Sequence, residues 1–292
     1  MPSITVIKVF IRELLSKRSA KRKNEPDLVM DHPDKVAAYT RAGREDGVMQ
    51  PVYLYHCAQI CEVIKSGDTV VDLGCGPATQ LALVARLNPD INFIGVDLSN
   101  EMLDKAQAHI KAQNLSNVEF RQEDITQLQS FGDDSVDVFM STVVLHHLPD
   151  LTALENTFSQ ISRILKPNGG MYLVDFGHLK SEKSIHDFAY QYDDRQAELF
   201  TLDYLYSLQA AFWPEDFQSL YQKHLSSAGM FYQTFVMPYM MAIKSPARRE
   251  LDPALWQQLQ AIRDSMPDYH KTDITDLIRF FSLGGLKCRF LK

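Results

Sequence analysis

The run Val70-Val71-Asp72-Leu73-Gly74-Cys75-Gly76-Pro77-Ala78 limits what this chain can become more than any other part of it. An apolar, β-branched segment enters a turn with glycine at 74 and 76, and a helical pattern opens behind it. That order specifies strand, tight turn and helix, with bare backbone at the turn. Glycine there keeps any Cβ out of a ligand's path, at the carboxyl edge of a sheet beside a helix N-terminus. From Thr69 onward the alternation repeats. Strands are predicted at 69–73, 92–97, 118–122, 136–142 and 170–176, and helices at about 80–87, 100–113 and 151–165. Pro89 follows the first helix, Ser99 can cap the second, and Pro167 with Gly169 and Gly170 ends the third. Such a pattern builds an α/β fold, a mostly parallel sheet with helices on both faces. Residues 231–237 and 239–245 read as a closing hairpin, which makes seven strands and brings in an antiparallel one.

Two carboxylates sit at the ligand edge of this predicted sheet. Asp72, two residues before the first glycine, offers a negative charge where a cationic amine can be received and a pyrophosphate is unwelcome. The dinucleotide fingerprint wants glycine at the third position of G-x-G-x-x-G, and this chain has Thr79 there. Asp72 and Thr79 therefore favour a zwitterionic ligand over a dinucleotide. Asp97 ends the second strand, 21 residues after Gly76, where a carboxylate can accept both hydroxyls of a ribose.

Three further motifs follow in order: Glu123-Asp124-Ile125, Asp137-Val138-Phe139 and Leu165-Lys166-Pro167-Asn168-Gly169-Gly170. With the glycine turn and Gly95-Val96-Asp97-Leu98-Ser99 they resemble the class I S-adenosylmethionine-dependent methyltransferases, over about residues 69–176 and, less closely, the hairpin. The resemblance implies a Rossmann-like sheet, S-adenosylmethionine as cofactor, and methyl transfer by in-line displacement. It also implies that Asp72, Gly74, Cys75 and Gly76 line the methionine end of the cofactor and that Asp97 holds the ribose. Leu98 and Met102 would flank the adenine, Asp124 would face its amino group, and the Ile125 backbone would contact the ring. Ser141 would lie near the sulfonium. Ala78 departs from the pattern, standing where many members have a third glycine.

Composition narrows the function. Hydrophobic residues at 45% and charged residues at 23% belong to an ordinary globular chain. The net charge of −7 argues against a nucleic-acid partner, which needs clustered cations on its binding face. Four cysteines, irregularly spaced, fit neither a disulfide framework nor a paired zinc motif, so a reducing cytoplasm and no metal are expected. Residues 1–23 break the acidic balance, with seven cations against Glu13 alone, a net +6 that leaves −13 for the rest. Ile4, Ile7, Ile11, Leu14 and Leu15 recur there at helical spacing, with Val6 and Phe10 widening the stripe. This basic amphipathic helix is expected to dock on its own domain; attachment to a membrane surface and a cleaved targeting peptide are the alternatives.

The chain divides into a basic N-terminal segment (1–32) and a cofactor-binding domain with N-terminal lid helices at about 33–45 and 50–65 (33–176). A helical aromatic-rich cap (177–229), the closing hairpin (230–245) and a helical extension (246–292) follow. Fifteen of the thirty aromatic residues lie between Phe176 and Tyr239, a stretch of 64 positions. Helices near 184–210 and 214–227 should carry most of them over the site, faced by Tyr39, Tyr53 and Tyr55. Phe188, Phe200, Phe212 and Trp213 are expected mainly to pack the cap, while Tyr190, Tyr192 and Tyr204 are the candidate substrate contacts. A protonated acceptor needs a general base, and His146, Tyr39, His186 and Asp193 are the candidates. The favoured activity is methylation of a small molecule at O, N, S or C. A lipid or quinone precursor at the membrane is the second reading, and a non-catalytic cofactor-binding regulator the third. The oligomeric state is not legible.

Overall fold

The strands, in chain order, are β1 (Thr69–Leu73), β2 (Asn92–Asp97), β3 (Val118–Gln122), β4 (Val136–Thr142), β5 (Leu165–Phe176), β6 (Met230–Gln233) and β7 (Met240–Lys244). They form one seven-stranded sheet in the order β3-β2-β1-β4-β5-β7-β6. β1 to β5 pair in parallel, and β7 lies antiparallel to both β5 and β6. These come from a computed structural model, which describes residues 4–27, 32–44 and 47–291. Residues 28–31 of the basic N-terminal segment, the last residue of the helix predicted at 33–45, and the Ile4 side chain lie outside the described residues.

The helices are α1 (Ile4–Leu15), α2 (Pro33–Gly43), α3 (Gln50–Val63), α4 (Thr79–Leu87), α5 (Asn100–Ala112), α6 (Leu151–Ile164), α7 (Glu182–Ala189), α8 (Glu198–Ala210), α9 (Pro214–His224), α10 (Pro253–Ser265) and α11 (Asp268–Leu283). Strand pleating distributes side chains between two core layers. Val70 packs with apolar residues of α3, α4 and α5, whereas its neighbours Val71 and Leu73 pack with those of α6 and α9. α6 shows how such a helix is specified. Asp150 caps it by accepting from the Ala153 amide at 2.9 Å. Leu154, Phe158 and Ile161 recur along one face and are fully buried, each contributing about 2 kcal/mol.

Two predicted elements break where the sequence pattern is continuous. The helix expected over 184–210 is α7, a 3-10 turn at Tyr190–Tyr192, a non-helical stretch and then α8. Arg195 in that stretch sits 4.2 Å from the Tyr192 ring and 5.3 Å from the Tyr269 ring. The cation–π contacts anchor the chain where a helix would have carried it away. The strand expected over 231–237 ends at Gln233, because Val236 adopts a left-handed φ of 64° and Thr234 donates its hydroxyl to the Met237 carbonyl at 2.8 Å.

α1 docks on α7. Arg12 pairs with Asp187 at 2.9 Å, Val9 is buried, and the Glu13 carboxylate accepts from the Lys180 amide at 2.8 Å. The face that docks carries Val6, Val9 and Glu13. The predicted apolar stripe points away from it: Ile7, Ile11, Leu14 and Leu15 are 47%, 52%, 57% and 82% exposed.

Candidate functional site

The glycine turn after β1 has the geometry its sequence demands. Gly74 and Gly76 take left-handed φ values of 68° and 52°. A Cβ on Gly74 would stand 2.2 Å from Val144 Cγ1, so a side chain is excluded by both dihedral and contact. Ala78, at φ 60°, is the position where a glycine would be unstrained. Asp97 stitches the turn to β2: its Oδ2 accepts from the Gly76 amide at 2.8 Å and its Oδ1 from the Ser99 amide at 2.9 Å. Two hydrogen bonds leave lone pairs on both carboxylate oxygens.

Asp72 is buried at the end of β1, and burial, then the nearby Asp97 charge, pushes its carboxyl well above the ordinary range. Asp97 is also raised by burial, though the amides of Ser99 and Gly76 oppose the shift. Cys75 is buried and donates its amide to the Val96 carbonyl. Leu98 is half exposed, and Met102 is buried behind the Ser99 cap. Asp124 accepts from the Thr126 amide at 2.8 Å and from Gln127 Nε2 at 3.2 Å, with the half-buried Ile125 between.

A narrow cleft of about 20 Å³ runs from this turn to α2 and α3, lined among others by Asp72, Gly74, Tyr39, Tyr53 and Thr142. Three buried oxygens of its lining residues have no hydrogen-bond partner: Thr79 Oγ1, Gln80 Oε1 and Thr142 Oγ1. Orphaned polar atoms around the Asp72 carboxylate and a bare backbone suit an amino-acid-bearing ligand. Ser141 is not among the lining residues. The pleat sends its hydroxyl to the Leu73 carbonyl, 3.1 Å away and fully buried, so Thr142 is the β4 side chain that reaches the cleft.

Beyond β4 opens a cavity of about 380 Å³. Thr142 lines the cleft and the next residue, Val143, lines this cavity. Val143 has a φ of 59°, a strained conformation for a β-branched residue, and its amide is fixed to the Val174 carbonyl at 2.8 Å. Eight of its 23 lining residues are Phe or Tyr, among them Phe176, Phe188, Phe200, Tyr204 and Tyr239. Tyr192 also contributes, donating to Asp273 Oδ1 at 3.3 Å beside Arg195, which together form a polar end.

Tyr190 is absent from the lining and stacks on the exposed His186 at 4.4 Å. Phe188 and Phe200 line the cavity as well as packing the cap, whereas Phe212 lies under Arg22 and Trp213 under Arg18. Tyr55 stacks on Phe281 inside the core at 5.4 Å. The wall from α11, with Tyr269, Asp273 and Phe280, had no signal in the sequence: helical periodicity shows which face is apolar but not which cavity it meets.

The general-base candidates separate. Tyr39 is held protonated: its neighbour Tyr53, burial, and the carboxylates Asp203 and Asp97 all raise its pKa, which suits a donor and not a base. His186 and Asp193 do not line the cavity. His146 is buried with its Nδ1 2.7 Å from Asp175 Oδ1, while its amide donates to Asp175 Oδ2 at 2.9 Å. Its Nε2 has no hydrogen-bond partner and faces Glu25 Oε1 at 3.6 Å. Glu25 also pairs with His147 at 2.8 Å. Burial alone would raise Glu25, but the hydrogen bond and charge of His147 bring it down to about 2.

A family described as a methyltransferase domain matches residues 64–223 of this chain. An arsenite methyltransferase of Halobacterium salinarum is 36% identical over 110 residues, which is 37% of this chain and 27% of that protein. A demethylmenaquinone methyltransferase of Lactobacillus johnsonii is 32% identical over 114 residues, 38% of this chain and 45% of that protein. The matched region thus spans between about a quarter and a half of these relatives' length. Among solved structures, the plantazolicin methyltransferase in complex with SAH superposes with a TM-score of 0.57 at 16% identity, covering 91% of this chain and 92% of that one. A SAM-dependent methyltransferase from Aquifex aeolicus gives 0.52 at 15% identity, covering 73% and 97%. Such identities speak for the fold alone, and the fold agrees with the family match, which takes in more than half of the sequence: this chain belongs to the methyltransferase-domain family.

Proposed function

We propose that the enzyme methylates a small, largely apolar and planar molecule bound in the aromatic cavity. The observation that carries this is the sharing of the β4 terminus, where consecutive residues Thr142 and Val143 belong to the cofactor cleft and to the cavity. In this reading Asp72, Gly74, Cys75 and Gly76 hold the methionine end of the cofactor and Asp97 the ribose. Leu98 and Met102 flank the adenine, with Asp124 and the Ile125 backbone at its edge.

Bound S-adenosylmethionine supplies a methyl group made electrophilic by its sulfonium, so the protein's task is alignment and exclusion of water. Aromatic walls serve both: they orient a flat acceptor, and an acceptor that fills the space between them displaces water. Tyr192, Arg195 and Asp273 fix one polar substituent at the far end. The test is S-adenosylhomocysteine release across a panel of phenols, quinols, aromatic amines and polar metabolites, with Phe200→Ala as the probe. Apolar acceptors should turn over, with KM raised at least about tenfold in the variant, from about 1.4 kcal/mol or more of lost contact. Turnover confined to highly polar acceptors, with KM unmoved by the substitution, would reject this.

A second reading has its own observation. The exposed Ile7, Ile11, Leu14 and Leu15 lie on a segment that also carries Lys8, Lys17 and Lys21, which suits an anionic bilayer. A relative is a demethylmenaquinone methyltransferase, so a lipid-like acceptor taken at the membrane surface is the alternative. Co-sedimentation with phosphatidylglycerol vesicles should be lost on removing residues 1–23; equal sedimentation with and without them rejects it.

A further inference from the structure

We infer that Glu25, His146 and His147 form a binding site for a divalent transition-metal ion of the zinc type. His147 is in electrostatic reach of Asp97. One donor atom from each of the three residues lies within 4.8 Å of the others. His147 Nδ1 is 2.8 Å from Glu25 Oε2, and His146 Nε2 is 3.6 Å from Glu25 Oε1. Tetrahedral zinc with bonds of about 2.0–2.1 Å places its ligand atoms about 3.4 Å apart, between those two separations.

The second, independent observation is His146 itself. Its side chain is 1% exposed, and Nε2, aimed at Glu25, has no hydrogen-bond partner. A proton shared by Glu25 and His147 closes one contact and leaves that nitrogen unsatisfied. A metal ion satisfies all three donors.

The surroundings have the form of a ligand-orienting shell. Asp175 takes the Nδ1 proton of His146 at 2.7 Å, which fixes the tautomer and leaves the Nε2 lone pair facing inward. Ser207 donates to Glu25 Oε1 at 2.8 Å and holds that carboxylate in place. Asp203, near enough to Glu25 and both histidines to interact with them electrostatically, adds a third carboxylate to Glu25 and Asp175. Arg22 is the opposing cation. Its guanidinium donates to the carbonyls of His146, Leu148, Pro149 and Ala210 at 3.1, 2.5, 2.7 and 2.8 Å and to Asn24 Oδ1 at 2.6 Å, so these hydrogen bonds go to neutral oxygens. Three protein ligands leave a fourth position for water or an acceptor oxygen. The spacing of the ligands in sequence gives no zinc motif, because Glu25 reaches the site from the N-terminal segment.

The inference does not rest on the identity of the methyl acceptor, and its test needs no turnover. Co²⁺ alone is titrated into the full-length protein and followed by visible absorption, with Zn²⁺ displacement and thermal melts alongside. One equivalent should bind with the intense bands of a four- or five-coordinate site, and Zn²⁺ should abolish them and raise Tm. His147→Ala and Glu25→Gln should each weaken Co²⁺ binding about tenfold or more, while S-adenosylmethionine binding by calorimetry persists and certifies the fold. His147 is the safer substitution because its side chain is 31% exposed. Absence of Co²⁺ bands in the wild-type protein, or bands of equal affinity in both folded variants, overturns the site.

Discussion

Asp97 holds two backbone amides and, in the proposed function, the cofactor's ribose as well, so its charge cannot be removed quietly. Asp97→Asn turns one acceptor oxygen into an NH2 group that must face the Gly76 or Ser99 amide. Calorimetry should show S-adenosylmethionine binding weakened about 10- to 100-fold, the 1.5–3 kcal/mol of a charge-assisted hydrogen bond; an unchanged Kd would remove Asp97 from the site. Gly74→Ala meets Val144 at 2.2 Å with φ at 68°. Left-handed strain and overpacking should cost about 2–4 kcal/mol, read as a lower denaturation midpoint. Ala78→Gly is the contrasting case at the same turn, because relief of about 1 kcal/mol of strain offsets a lost buried methyl of about 0.8 kcal/mol. Its midpoint should move by less than about 1 kcal/mol. The conformation of this turn was legible because glycines at 74 and 76, directly after an apolar strand, mark a left-handed backbone. The choice between Ser141 and Thr142 was not legible: both are small hydroxyl residues, and only the pleat decides that Thr142 reaches the cleft.

At the scale of elements, the strands of the parallel sheet were the most legible part. Four of its five strands run between the residues predicted, since buried parallel strands read as short unbroken apolar runs. β5 begins at Leu165, earlier than the expected Gly170, through an irregular pairing opposite Val136 and Val138 that no periodicity encodes. The cap was less legible, because its helices break where Arg195 meets the Tyr269 ring, distant in sequence, as well as the neighbouring Tyr192. α1 shows the limit most clearly: its amphipathicity is plain in the residue pattern, but the docked face is the narrower one of Val6, Val9 and Glu13. α2 carries a prediction of its own. The cleft of about 20 Å³ between Tyr39 and the glycine turn has room for about one water molecule. A cofactor the size of S-adenosylmethionine enters only if α2 moves outward and closes again. Hydrogen exchange over residues 33–43 should therefore slow when the cofactor is added; equal exchange in both states would mean the ligand enters by another route.

Across the whole molecule, the carboxyl edge of the sheet gathers buried negative charge that the fold alone does not neutralise. Asp72 is the clearest instance, its carboxyl raised by burial and then by Asp97. In the cofactor-free protein the folded state holds this proton to higher pH than the unfolded chain does. Folding stability is therefore lost as pH climbs from the ordinary carboxyl value of 3.8 through the raised one, and the loss stays constant above it. An ammonium group seated at Asp72 reverses the shift by favouring the ionised form. Cofactor should then stabilise the protein more at about pH 7 than at about pH 5, and binding at the lower pH should expel protons into the buffer. Calorimetry in buffers of different ionisation enthalpy measures that release directly. A ligand-induced Tm increment that is flat across this range, with no proton exchange, would place the cofactor's ammonium away from Asp72 and the methionine end elsewhere in the site. A release of up to one proton that vanishes in Asp72→Asn would tie folding stability, charge burial and cofactor capture to the same carboxylate.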